Sequence, residues 1–314
     1  MRSRLLAASV VCLLLAFTPA RAADYLFTYF TGNGDGLHLA ASKDGLKWEV
    51  LNGGKTYLTP TVGGKLMRDP CLLLGPDGVF RMVWSSGWYE NCIGYASSKD
   101  LITWSEEQAV PVMAAEPTVR NSWAPEVAYD EKKQEYLIFW SSTIPGKFPE
   151  TQATGDNGLN HRVYCTTTKD FVTFTPTRLF YEPGFNVIDA TMLRANGKFY
   201  LVVKDETIQP VAKKNLRLAS SDSIDGPFSA AGEPFSPPGV WAEGPTAIKI
   251  GDDYIVYYDM YRDKKYGAVR SKDLKTWENI SSQLAFPPGT PRHGTVLAVP
   301  PEVVARLRAV PAAK

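Results

Sequence analysis

The sequence is poor in the residues that form metal sites and disulfides. It contains four cysteines and three histidines in 314 residues, and no Cys/His spacing resembles a zinc site. Three of the cysteines, Cys71, Cys92 and Cys165, lie in strand-like runs. We therefore interpret them as buried thiols and not as a disulfide framework. Low-complexity segments are also absent.

The chain has almost no excess of charge of either sign, with 34 basic and 33 acidic residues. Residues 1–22 are predicted to be a signal peptide, because two arginines precede a short apolar run and Ala20-Arg21-Ala22 supplies a cleavage site. A membrane anchor is the alternative, but the run is too short to span a bilayer. Cleavage would remove three arginines and leave a net charge of −2, which gives no electrostatic footprint for nucleic acid or membrane. We expect a secreted or periplasmic protein with one domain over residues 23–314.

Helical periodicity is nearly missing, apart from a short amphipathic stretch at 302–310, and one phrase recurs along the chain. Each copy combines a strand end, a turn built on aspartate, and an aromatic residue that packs on the next unit. Repeats of this spacing are typical of architectures built from one supersecondary unit. The sequence therefore predicts an all-β fold, a five-bladed β-propeller. The copies are Ser42-Lys43-Asp44-Gly45-Leu46-Lys47-Trp48, Ser98-Lys99-Asp100-Leu101-Ile102-Thr103-Trp104, Thr168-Lys169-Asp170-Phe171-Val172-Thr173-Phe174, Ser221-Asp222-Ser223-Ile224-Asp225-Gly226-Pro227-Phe228 and Ser271-Lys272-Asp273-Leu274-Lys275-Thr276-Trp277.

The two ends of the chain supply complementary parts of one blade. The segment at 25–50 lacks an opening strand, and the opening strand at 293–299 lacks a following blade. We predict that the C-terminal strand joins the N-terminal strands and closes the ring, which protects both edges. The stretch at 143–161, rich in proline, glycine, threonine and asparagine, is predicted to be an insertion at the rim of the pocket.

Each blade opens with a segment of the same form: a key position, a proline or small residue, and a β-rich run. If the key positions begin the innermost strands, three carboxylates and one imidazole meet at one mouth of the central channel. Separated acids that converge in a cleft indicate a catalytic site. The key positions are Asp69, Ala124, Asp189, Glu243 and His293.

The segments around these positions resemble glycoside hydrolase family 43, in the order of that family and over essentially the whole mature chain. The resemblance implies an inverting glycosidase that is exo-acting or trims arabinan. By the same resemblance, Asp69 matches the general base, Glu243 the general acid, and Asp189 the carboxylate that tunes and orients the acid. His293 matches a position that in many members lies at a channel ion, often calcium, or at its waters. No cofactor beyond such a structural ion is expected. The matching segments are Arg68-Asp69-Pro70, Trp123-Ala124-Pro125-Glu126, Ile188-Asp189, Glu243-Gly244-Pro245 and His293-Gly294.

Hydrolysis of a glycosidic bond requires the same residue types, independently of the family resemblance. An inverting enzyme needs an acid on the leaving oxygen and a base on the opposite face of the sugar, with the two carboxyl groups roughly 6.5–9.5 Å apart to admit a water. From the resemblance, we expect a carbohydrate substrate with a terminal α-L-arabinofuranosyl unit. β-Xylosidase, galactofuranosidase and β-1,3-galactosidase activities remain open.

Three other classes of function also remain. A non-catalytic carbohydrate-binding propeller would be expected to lack at least one of the three acids, whereas a retaining propeller would use an aspartate nucleophile. A phosphorylase would need a basic pocket beside the acid, and the sequence around Glu243 shows none.

Several other residues are candidates for contact with the sugar. Aromatic rings stack on the apolar faces of sugars, although most blade aromatics pack in the core. Lys204, Asp205 and Glu206 follow a strand and are interpreted as a solvated charge cluster, and Glu126 is expected to face away from the axis or to hold a neighbouring strand. The candidates for substrate binding are Arg68, Trp88, Trp123, Phe185 and Trp241.

Overall fold

The computed structural model describes residues 23–286 and 291–310, so the predicted signal peptide lies outside the described residues. Within these ranges, nineteen strands form five antiparallel sheets. No helix in this part of the chain is long and apolar enough to cross a membrane.

Each sheet is one blade, written here from the innermost strand outward. Blade 1 contains β19 (Val296–Val299), β1 (Asp24–Tyr29), β2 (His38–Ser42) and β3 (Trp48–Val50). Blade 2 contains β4 (Arg68–Leu74), β5 (Phe80–Ser85), β6 (Ile93–Ser98) and β7 (Gln108–Val110). Blade 3 contains β8 (Trp123–Asp130), β9 (Glu135–Ser142), β10 (Arg162–Thr168) and β11 (Arg178–Tyr181).

Blade 4 has three strands, β12 (Val187–Ala195), β13 (Lys198–Asp205) and β14 (Asn215–Ser221). Blade 5 contains β15 (Glu243–Ile250), β16 (Asp253–Met260), β17 (Lys265–Ser271) and β18 (Glu278–Asn279). The helical elements are α1 (Pro301–Ala309) and three short 3-10 helices at Asn52–Gly54, Pro149–Thr154 and Ser281–Gln283. Helix α1 confirms the predicted amphipathic stretch.

The innermost strands contact one another in a closed ring, in the order β19, β4, β8, β12, β15 and back to β19. The ring closes where β19 pairs antiparallel with β1, from Asp24 opposite Val299 to Phe27 opposite Val296. This confirms both the five-bladed propeller and the predicted closure by the C-terminal strand. Because β19 completes blade 1, every blade contributes an innermost strand to the wall of the channel.

The recurrent phrase forms the turn that follows the third strand of a blade. In blade 2, Asp100 Oδ1 accepts hydrogen bonds from the backbone N–H groups of Ile102 and Thr103, at 2.9 and 2.7 Å. Ser98 Oγ accepts the N–H of Leu101 at 2.8 Å. The same contacts recur in the copies that contain Asp44, Asp170 and Asp273. Short polar side chains therefore satisfy the turn backbone at the same place in four blades.

Four innermost strands begin with a β-bulge at the channel mouth. The bulged residues have a left-handed backbone, with φ of 53° at Asp69, 47° at Ala124, 53° at Asp189 and 55° at Gly244, and the pairing register shifts at each of them. A bulge redirects a side chain out of the regular pleat. The predicted register was therefore wrong by one residue in blade 5, because Gly244 and not Glu243 occupies the position that corresponds to Asp69.

The predicted insertion lies between β9 and β10 of blade 3. It holds the 3-10 helix Pro149–Thr154 and ends at His161, whose ring lies 5.4 Å from that of Trp123. Cys71, Cys92 and Cys165 are buried and free, as predicted.

Candidate active site

One mouth of the channel holds a small pocket with a volume of about 180 Å³. The three predicted catalytic carboxylates, Asp69, Asp189 and Glu243, all line it, although they come from three different blades. The volume lies below the roughly 300–1,000 Å³ of pockets for drug-sized ligands, so the pocket suits a small ligand. The other lining residues are Arg68, Ser85, Gly87, Trp88, Trp123, Ile188, Lys204, Glu206 and His293.

Asp69 is held as a carboxylate by partners on both of its oxygens. His293 Nδ1 lies 3.1 Å from Oδ1, and Ser85 Oγ donates a hydrogen bond to Oδ2 at 2.7 Å. Ser85 also accepts the backbone N–H of Ala124 at 2.8 Å, which ties the carboxylate to the next blade. Burial alone would raise the pKa of Asp69, but the charge and hydrogen bond of His293, helped by Arg68 and Ser85, hold this pKa well below its ordinary value.

His293 provides the positive charge at this point of the channel. Burial would lower its pKa, but the carboxylates of Asp69, Asp189 and Glu126 raise the pKa of His293 to about 9. The contact with Asp69 therefore favours the protonated form of the ring.

The family resemblance gave His293 as a possible neighbour of a channel calcium or of its waters. Calcium takes about six to eight oxygen ligands, and the described residues contain no group of three or more His, Cys, Asp and Glu side chains arranged to hold a metal. A channel ion at His293 stays a prediction, and no step of the reaction is assigned to one.

We expect His293→Asn to move the acidic limb of the pH profile. Asparagine keeps a donor near the position of Nδ1 but removes the charge that lowers the pKa of Asp69. If Asp69 acts in its ionised form, as the family resemblance implies, a higher pKa of Asp69 means that activity is lost at a higher pH as the pH falls. The acidic limb of kcat/KM should move upward by about one pH unit or more. The control is His38→Asn, since His38 makes a similar contact to Asp35, at 2.9 Å, outside the pocket. An unchanged limb in His293→Asn would contradict this account.

The carboxylate of Glu243 contacts two cations, Lys204 and Arg292, that the sequence did not predict at the site. Lys204 Nζ donates to Oε2 at 3.2 Å, and Arg292 Nη2 donates to Oε1 at 2.6 Å. Arg292 also contacts Asp259 through Nε. These contacts fix the position of the Glu243 carboxyl group from blade 4 and from the segment that precedes β19.

Lys204 is buried, so the prediction of a solvated charge cluster was wrong. Only 2% of Lys204 and 3% of Asp205 is exposed, and Lys204 Nζ lies 2.6 Å from Glu206 Oε2. Burial would lower the pKa of Lys204, but the charges of Glu206, Glu243 and Asp189 raise it well above its ordinary value. The expectation of no basic groups beside the acid also fails, but each of these cations already pairs with carboxylates. Lys204 and Arg292 therefore give no support to the phosphorylase alternative.

Asp189 lies in an environment that favours its protonated form. Its Oδ2 accepts the backbone N–H of Gly244 at 3.0 Å. Burial raises the pKa of Asp189, and the charges of Glu243 and Asp69 add to this, while His293 and Lys204 oppose it. The pKa of Asp69 in blade 2 is therefore lowered, whereas the pKa of Asp189 in blade 4 is raised.

Glu126 holds a neighbouring strand, one of the two alternatives that the sequence left open. Its Oε2 accepts a hydrogen bond from Thr191 Oγ1 on β12 at 3.0 Å. Burial raises the pKa of Glu126 to about 7, although the charge of His293 opposes this. Glu126 thus joins blades 3 and 4 below the pocket.

The predicted sugar-binding residues fall into two groups. Trp88 is 43% exposed. Its ring makes an edge contact with the Trp123 ring, with the ring centres 5.9 Å apart, and the Arg68 guanidinium carbon lies 5.0 Å from the centre of the Trp88 ring. These three line the pocket, whereas Phe185 and Trp241 are not among its lining residues. Phe185 packs against the core between blades 3 and 4. A sequence pattern could not separate the two groups, because all of these residues lie at strand starts or in loops.

Comparison with known proteins identifies the family. A family model described as a probable glycosyl hydrolase domain, related to family 43, matches residues 21–303. The chain belongs to glycoside hydrolase family 43. The resemblance seen in the sequence is thereby confirmed.

Relatives of this family 43 domain are distant. An α-L-arabinofuranosidase of Bifidobacterium longum is 24% identical over 287 residues, which cover 75% of this chain and 26% of the relative. The chain thus spans about a quarter of that protein. The crystal structure of an α-L-arabinofuranosidase from Lactobacillus brevis has a TM-score of 0.53 and 18% identity, over 68% of this chain and 72% of that one. A β-1,3-galactosidase solved with galactodeoxynojirimycin has a TM-score of 0.57 and 12% identity, over 77% and 86% of the two chains.

Proposed function

We propose that this family 43 protein is a secreted or periplasmic, inverting exo-glycosidase that removes a terminal sugar from plant-type poly- or oligosaccharides. The observation that carries the proposal is the convergence of Asp69, Asp189 and Glu243 in one small pocket, with partners that hold Asp69 ionised. An inverting hydrolase needs a carboxylate base and a carboxylic acid on opposite faces of the sugar. Carboxylates on different blades of a ring supply such a pair on rigid strands.

In this proposal, Asp69 removes a proton from water as the water oxygen bonds to the anomeric carbon. The glycosidic C–O bond breaks, and Glu243 donates its proton to the departing oxygen. Both oxygens of Glu243 accept hydrogen bonds from cations in the structure, so binding of the sugar has to replace one of these contacts when Glu243 takes up its proton. Asp189, beside Glu243 and Asp69, tunes and orients the acid.

The terminal unit that we favour is α-L-arabinofuranosyl. The support comes from the Bifidobacterium relative at 24% identity. The small pocket supports action on a chain end, because it has room for one ring beside the carboxylates.

The test is hydrolysis of aryl glycosides by the wild type, Asp69→Asn and Glu243→Gln. The panel contains the α-L-arabinofuranoside, β-D-xyloside, β-D-galactofuranoside and β-D-galactoside. We expect turnover of the arabinofuranoside, with a loss of activity of about 10²-fold or more in Asp69→Asn. Turnover of another sugar would replace the proposed substrate. Binding of a sugar without any turnover would favour the carbohydrate-binding propeller.

A further inference from the structure

The position of Glu243 indicates where the leaving part of the substrate lies. This inference rests on the proposed function, in which Glu243 protonates the departing oxygen. The group attached to that oxygen has to extend past Glu243 and over the loops beside it. The chemistry of those loops therefore reports on the chemistry of the leaving group.

Two loops flank Glu243 at this mouth of the channel. Strand β13 runs toward the mouth, where Asp205 pairs with Val187, and the loop of residues 206–214 follows it. Strand β16 also runs toward the mouth, where Asp259 pairs with Glu243, and the turn of residues 261–264 follows it. We call these segments, together with Lys265, the acid-side loops.

The acid-side loops present an excess of positive charge to solvent. Lys213, Arg262, Lys264 and Lys265 are exposed, and Asp263 is the one exposed acid in these segments, so their exposed residues have a net charge of +3. None of the four basic residues forms an ion pair with another described residue. The whole chain, in contrast, has a net charge of only +1. The corresponding loop beside Asp69, residues 86–92, has Glu90 as its one charged residue.

The ring of Trp241, two residues before Glu243 in the chain, contacts this patch. The Arg262 guanidinium carbon lies 3.1 Å from the ring centre of Trp241, and the Tyr261 ring lies 6.0 Å from that of Trp241. Lys214 Nζ is 5.6 Å from the same ring, but it is buried and pairs with Glu206. Arg262 is thus a planar cation on an aromatic surface, with its donors free among the described residues.

We propose that Arg262, which lies on the ring of Trp241, and the exposed lysines of the acid-side loops bind the carboxylates of a uronic acid-containing glycan, which forms the leaving part of the substrate. The Trp241 ring holds the Arg262 guanidinium in place, and the guanidinium binds a uronate carboxylate through two N–H donors. A neutral glycan has no carboxylates that could pair with these exposed cations. The substrate class is therefore an acidic polysaccharide with a neutral terminal unit.

The experiment measures binding without turnover, in the full chain with Asp69→Asn. The probes are tetragalacturonic acid and its fully methyl-esterified form, which has the same backbone without charge. Affinities are measured by isothermal titration calorimetry at low and at high salt. Arg262→Gln is compared with Arg270→Gln in the same background. Arg270 is a matched control, because it lies at the far end of blade 5 and pairs with Glu278 at 2.8 Å.

We expect the acid to bind about tenfold more tightly than the ester, with the difference reduced by salt. Arg262→Gln should remove most of the difference, and Arg270→Gln should preserve it. Equal affinities, absence of acid binding, or equal effects of the two variants would overturn the proposal. Since no hydrolysis is measured, this outcome is independent of the aryl glycoside panel and can fail while the proposed function stands.

Discussion

Gly244→Ala is expected to destabilise the protein by more than about 3 kcal/mol and to lower kcat by roughly 10²-fold. Gly244 has a left-handed backbone, with φ of 55°, which alone costs an alanine about 1–2 kcal/mol. A Cβ at this position would lie 2.2 Å from Cγ of His293, so the ring has to move. Movement of His293 would break its contact with Asp69, and the N–H of residue 244 also holds Asp189.

Gly251→Ala separates the two causes. Gly251 has φ of 60°, but no atom lies within 4 Å of the position of its Cβ. This variant should lose only about 1–2 kcal/mol and keep its activity. Chemical denaturation and steady-state kinetics of both variants provide the measurement. If Gly244→Ala resembled Gly251→Ala in both respects, the packing of His293 against Gly244 would not support the site.

Glu243→Gln is expected to lose more activity on substrates whose leaving group has a high pKa and needs protonation. Glutamine cannot donate the proton that a poor leaving group requires, and general acid catalysis contributes about 10²–10⁴-fold. In a dinitrophenyl glycoside of the favoured sugar, the dinitrophenolate is a good leaving group and departs without protonation. The variant should therefore cleave this substrate nearly as fast as the wild type while losing most of its activity on an oligosaccharide.

Asp69→Asn is the comparison for Glu243→Gln. Activation of water is needed whatever the leaving group, so Asp69→Asn should be impaired on both substrates. A plot of log kcat/KM against the pKa of the leaving group should be steeper for Glu243→Gln than for the wild type. Equal losses of Glu243→Gln on both substrates would show that this residue is not the acid.

Much of the fold could be predicted because its signals lie within short segments of the sequence. The turn phrase places a serine or threonine and an aspartate at fixed spacing, and these satisfy the turn backbone within a few residues. The closure by β19 followed from an N-terminal segment without an opening strand and a C-terminal strand without a blade. Both signals depend on short stretches of sequence, which a single chain displays directly.

The site was predicted less completely, because its contacts join distant segments. The acids were visible from their recurrent place at blade starts, but the bulge that puts Gly244 in register with Asp69 depends on strand pairing. Lys204 lies 39 residues before Glu243 in sequence, and Arg292 lies 49 after it. A lysine next to acids at the end of a strand has the pattern of a solvated cluster. Only the packing of blade 4 against blade 5 shows that it is buried against the acid.

The most direct test of the account is the configuration of the sugar that is released first. Proton NMR would follow hydrolysis of the aryl glycoside that the wild type cleaves, within the time before mutarotation. The account predicts that the first product has the anomeric configuration opposite to that of the substrate, because water attacks directly with Asp69 as base. A first product with the same configuration would contradict it, since retention requires a carboxylate that attacks the sugar itself.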